Sequence, residues 1–140
     1  RHFGIMKIQR MTSMEEVFAI MPWEFEIQKK GRISYPVQKL LLIIRERIDD
    51  PMFNVLFAYD DKKPLGFCIA FMTNVPGDKA IHILRMFAPG IVEKFLWELE
   101  QWGKQFGRRT IDLSIDKDMN AVEKRYGFKR KSTIMERGIE

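Results

Sequence analysis

The chain has 140 residues, enough for one domain with a sizeable core. Its 46% hydrophobic and 31% charged residues exclude an extended disordered chain, and no apolar run approaches the roughly 20 residues that span a bilayer. One cysteine excludes an internal disulfide, two histidines leave no histidine-rich metal set, and a net charge of +5 raises the question of phosphate-bearing partners.

Arg1–Ile5 is too short and polar for a signal peptide, so a single domain is expected over 6–140 with residues 1–5 outside it. Met6–Arg10 alternates apolar and polar residues, which predicts a first strand. Thr12 and Ser13 precede Glu15 and Glu16 at capping-box spacing, which predicts a helix to about Ile20. Pro22 can open a second helical stretch, Trp23–Lys30, that Gly31 stops. Another helix is expected from Ser34-Tyr35-Pro36, because Val37, Leu40, Leu41, Ile44 and Ile48 recur at three and four residues. Asp50-Pro51 ends it.

The pattern then becomes extended. Asn54–Tyr59 and Pro64–Met72 read as strands joined by the polar turn Asp60–Lys63. Asn74–Asp78 is a loop, and Ala80–Ala88 is a third strand, apolar at most positions and so expected to be covered on both faces. From Gly90 the period is helical, with Ile91, Phe95, Leu99, Trp102 and Phe106 on one stripe and Gly107 as the stop. Thr110–Ile115 is a strand, Asp118 to about Arg125 a short helix, and Phe128–Met135 a closing strand. The order is β-α-α-β-β-β-α-β-α-β, an α/β (α+β) pattern.

Several side chains invite a chemical reading beside a structural one. Cys68 sits in the apolar run Gly66–Phe71 and reads as a small core residue rather than a nucleophile. His82 is a candidate to deprotonate an ammonium group, since histidine is the usual general base near neutrality, yet a histidine in an apolar strand is more often a hydrogen-bonded core group. The basic residues of the last third, Arg108, Arg109, Lys124, Arg125, Lys129, Arg130, Lys131 and Arg137, would attract phosphates or simply form a solvated face. Nucleic acid is disfavoured as a partner, because no aromatic residues interleave with those charges.

Order and local motifs together resemble the GNAT acetyltransferase superfamily. The polar turn followed by Pro64-Leu65-Gly66-Phe67 is similar to the start of that family's third strand, and Phe87-Ala88-Pro89 to the exit of the next. Gly90-Ile91-Val92-Glu93-Lys94-Phe95-Leu96 resembles its Gly-Ile-Gly-x-x-Leu-Leu, and Tyr126-Gly127-Phe128 its Leu-Gly-Phe. The resemblance implies a mixed, mostly antiparallel twisted sheet with helices on both faces. It also implies that the strand before Gly90 splays from Thr110–Ile115 and admits the pantetheine arm of acetyl-CoA. Backbone groups of Met86, Phe87 and Ala88 would line that opening, and the helix start at Gly90, Ile91, Val92 and Glu93 would take the diphosphate.

The sequence departs from the family pattern in three places. Pro89 passes almost directly to Gly90, without the usual Arg or Gln and several loop residues. Val92 stands where a second glycine is usual, and a β-branched residue resists positive φ and close phosphate approach. The family's tyrosine acid, four residues before the Gly of Leu-Gly-Phe, is here Glu123, so Glu123, Tyr126 and His82 are the candidates for proton transfer. Two functions follow from the resemblance: an N-acetyltransferase acting on an amine-bearing small molecule or protein, or a GNAT-like module that has lost acyl-CoA use. A cytoplasmic setting fits both, with no membrane contact, and a homodimer is left open.

Overall fold

The computed structural model describes residues 6–18, 37–61, 63–114, 127, 129–131 and 134–139. The elements in chain order are β1 (Met6–Arg10), α1 (Met14–Phe18), α2 (Val37–Arg47), β2 (Phe53–Asp60), β3 (Lys63–Phe71), β4 (Ala80–Phe87), α3 (Val92–Lys104), β5 (Thr110–Ser114), β6 (Lys129–Lys131) and β7 (Ile134–Gly138). The helices expected at Trp23–Lys30 and Asp118–Arg125 lie outside the described residues.

The strands form one sheet in the order β1-β2-β3-β4-β5-β7-β6. β4 and β5 run parallel, and the other pairs are antiparallel. The expected single closing strand Phe128–Met135 is therefore corrected. The described residues there form two strands, with β7 inserted between β5 and β6. Lys129–Lys131 supplies the outermost strand, where a run of charge suits an edge that must not recruit another chain.

The period-2 alternation of the strands builds a separate core on each face. Val55, Phe57, Phe67 and Ile69 meet Val17 of α1 with Leu40 and Ile44 of α2. Leu56, Ala58, Cys68, Ala70, Ile81, Ile83 and Ile111 meet Phe95, Leu96, Leu99 and Trp102 of α3. The residues under α3 include the smaller ones, Ala58, Cys68 and Ala70, which leaves room for its Phe and Trp rings. Full burial of a side chain such as Leu99 or Phe95 contributes roughly 1.5–3 kcal/mol. Cys68 is buried in this core and burial pushes its thiol far above the ordinary range, so the core reading of Cys68 holds.

Local signals act as their chemistry predicts. The amide of Glu16 donates to Ser13 Oγ at 3.3 Å, and the Glu16 carboxylate accepts from the Thr12 amide at 3.0 Å, closing the cap of α1. At the other end of α3, Gly107 adopts φ +69° while the Arg108 amide donates to Gly103 O at 3.0 Å and the Gly107 amide to Lys104 O at 3.2 Å. Phe106 lies past the helix and is exposed, a correction to its place on the buried stripe. The helix ends at Lys104, and the Phe106 amide donates to Gly103 O at 3.0 Å, a tighter turn that takes the ring off the α-helical period.

Candidate functional site

β4 is two half-strands. Its first half pairs with β5 through Ala80–Thr110, Ile81–Ile111, His82–Asp112 and Ile83–Leu113. Among the described residues the parallel ladder ends there, with β4 running on to Phe87 and β5 described to Ser114. A register shift against β3 falls at the same level: Ala70 faces Ile83 but Ile69 faces Arg85, which makes Leu84 the extra residue of a bulge. A bulge bends its strand and increases local twist, and this one sits where the described ladder to β5 stops. The second half of β4, Arg85–Phe87, keeps its ladder to β3.

The chain then leaves the sheet directly over Gly66. A Cβ on that residue would stand 2.5 Å from Phe87 O and 3.3 Å from Ala88 Cα, so only glycine admits the crossing. Four residues, 88–91, connect β4 to α3. Gly90 takes φ +76°, and the Ile91 amide donates to Ala88 O at 3.1 Å. α3 starts with no side-chain cap, and the amides of Val92 and Glu93 precede any residue of the helix that could accept them. A helix N-terminus with unsatisfied donors and its dipole is suited to an anion.

The expected site residues that are described have definite places. Met86 packs toward the α3 core, Phe87 packs on Phe67 with ring centroids 6.3 Å apart, and Ala88 is buried in the crossing. Gly90 is exposed, whereas the Ile91 side chain is buried and its amide already donates within the turn. Val92 opens the helix, and among the described residues only Asp61 and four glycines have positive φ. The steric objection to Val92 is thus one of bulk and not of backbone conformation. Glu93 is exposed, and its carboxylate accepts from Arg137 Nη1 at 2.9 and 3.2 Å. Glu123 and Tyr126 lie outside the described residues.

His82 stands in the paired half of β4, away from the opening. Its Nε2 lies 2.9 Å from Asp78 Oδ2, its Nδ1 3.6 Å from Asp112 Oδ2, and its ring lies against Phe71 at 5.2 Å. Thr73 Oγ1 donates to the same Asp78 oxygen, and the Ala80 amide donates to the other at 3.0 Å. Burial pushes the Asp78 carboxyl up, but the hydrogen bonds from Thr73, His82 and Ala80, with the His82 charge, outweigh it and hold it at about 2. Buried Arg108 completes the cluster by donating to Asp78 O at 2.7 Å and Thr73 O at 2.6 Å. Thr73, Asp78, Asp112, Arg108 and Arg137 were not singled out as site residues from sequence. The partners of Asp112 and Arg137 depend on strand register, which no local pattern carries, and those of Thr73, Asp78 and Arg108 on the path of the 73–79 loop.

Elsewhere, a groove of about 350 Å³ is lined by Met6, Ile8, Glu93, Lys94, Trp97 and Glu98. Among the described residues no group of three His, Cys, Asp or Glu side chains converges on a metal position. No described helix is long and apolar enough to cross a membrane.

The described residues form a mixed seven-stranded sheet with one parallel pair joined through a helix, and solved GNAT-family acetyltransferases share this fold. A GNAT-family acetyltransferase from Staphylococcus aureus superposes with a TM-score of 0.74 at 12% identity, over 97% of this chain and 100% of that one. An acetyltransferase from Clostridium acetobutylicum, determined with acetyl-CoA, gives 0.72 at 15% identity over 91% and 92%. A ribosomal-protein alanine N-acetyltransferase from Escherichia coli gives 0.68 at 13% identity over 97% and 95%. No family model matches the chain, and no curated protein matches its sequence.

Proposed function

We propose that the protein is an N-acetyltransferase that moves an acetyl group from acetyl-CoA to a primary amine of a small molecule or protein. The observation that carries this reading is the fold shared with an acetyltransferase determined with acetyl-CoA, with the bulge at Leu84 and an uncapped helix start after a four-residue connection from Phe87. The donors present fit a thioester cofactor: a strand edge for the amide-bearing arm and the Val92 and Glu93 amides for the diphosphate. Bound there, acetyl-CoA supplies an activated acyl group.

The chain's own contribution is mainly backbone. The β4 edge at Met86–Ala88 orients the arm and polarises the thioester carbonyl, where charge develops as the amine adds. Deprotonating the amine and protonating the departing thiolate fall to Glu123 and Tyr126 as candidates, or to water. His82, hydrogen-bonded to Asp78 in the closed half of β4, serves to hold the 73–79 loop in this reading rather than to act as base.

A second reading, a GNAT-like module without acyl-CoA use, is favoured by the four-residue connection without a cation and by the Glu93 carboxylate in the first turn of α3. Thermal denaturation with acetyl-CoA decides between them. Saturation at about 100 times Kd stabilises by roughly 2.7 kcal/mol, a rise of several degrees in Tm for a domain this size. An unchanged Tm at millimolar acetyl-CoA would establish the second reading.

A further inference from the structure

The β4–α3 connection, Ala88-Pro89-Gly90-Ile91, carries no cationic side chain. Two uncapped amides and a helix dipole leave most of a diphosphate's charge without a partner. One guanidinium from elsewhere in the chain is delivered to the first turn of α3. Arg137, on β7, opposes Ile111 of β5. Its Nη1 lies 2.9 Å from Glu93 Oε1 and its Nη2 3.3 Å from Glu100 Oε1. Glu93 and Glu100 are two turns apart on one side of the helix, so that side is turned toward β7.

We propose that Arg137 is the cation that neutralises the donor's diphosphate, exchanging the Glu93 carboxylate for a phosphate oxygen when acyl-CoA binds. The inference rests on the acyl-CoA reading above and adds the residue that replaces the missing loop cation. The two carboxylates divide the task. The Glu100 side chain is 16% exposed and anchors the guanidinium against the helix, whereas that of Glu93 is 58% exposed and free to swing into water. A phosphate at the Val92 and Glu93 amides repels the Glu93 carboxylate and offers Arg137 Nη1 an anionic oxygen in its place, while Nη2 stays on Glu100. No covalent change is involved.

Isothermal titration with two probes, coenzyme A and S-acetylpantetheine, tests the assignment, because the second lacks the diphosphate. Arg137→Gln is expected to weaken coenzyme A by about tenfold or more while leaving S-acetylpantetheine unchanged. Glu93→Gln is expected to tighten coenzyme A several-fold, and it keeps the proposal testable should Arg137→Gln fail to fold. Equal loss of both probes in Arg137→Gln, unchanged or weaker coenzyme A binding in Glu93→Gln, or a loss carried by Lys94→Gln instead would overturn it. A wild-type protein that binds neither probe overturns the acyltransferase reading itself, whereas one that binds both with no Arg137 dependence overturns only this assignment.

Discussion

Single residues fix the two ends of β4. At its start, the Asp78 carboxylate gathers Thr73, His82 and the Ala80 amide, and at its end the absence of a side chain on Gly66 lets the chain cross. The depressed Asp78 value gives a signed expectation. A carboxyl that ionises more readily folded than unfolded contributes stability above its ordinary 3.8, and that contribution is lost as pH falls toward about 2. Wild-type protein should therefore lose urea stability more steeply between these values than Asp78→Asn, and parallel slopes would remove Asp78 from the account. Sequence could flag His82 as a titratable group in a strand, but not its neighbours. Asp112 meets it only through a parallel register between segments 30 residues apart, and Glu93 meets Arg137 across |i−j| = 44.

Elements were legible where a pattern repeats over two or more turns or strand periods. α2 and α3 announce themselves by apolar spacing, and β2, β3 and β4 by runs bounded with turns. Boundaries set by backbone conformation were legible through glycine: Gly107 closes α3 as expected, in the left-handed region. Gly107→Ala should cost about 1 kcal/mol in chemical denaturation, since nothing lies within 4 Å of an added Cβ and the penalty is conformational alone. A neutral substitution would mean that the last turn relaxes without loss. The closing segment was legible as a strand over Phe128–Met135 but not as two. Nothing in the sequence divides Lys129–Lys131 from Ile134–Gly138, and among the described residues the first pairs with β7.

At the scale of the molecule, the sheet has a gradient of protection. β3 is paired on both sides and its buried residues serve both cores, while β1 and β6 are terminal strands. Native-state hydrogen exchange should find β3 amides opening only with global unfolding and β6 amides opening first, by several kcal/mol less. Equal protection in the two would contradict the layered description. The GNAT fold was legible from element order and motif spacing, because those follow from the crossover between parallel strands that this chain shares with its structural neighbours.

The extra amide at Leu84 also inverts a parity. Before it, odd-numbered Ile81 and Ile83 look toward α3; after it, even-numbered Met86 does. The change of face is thus written in the count of residues and not in the identity of any one of them. Exchanging side chains along the strand leaves that inversion in place, whereas deleting the one residue at Leu84 would turn Met86 to the opposite core.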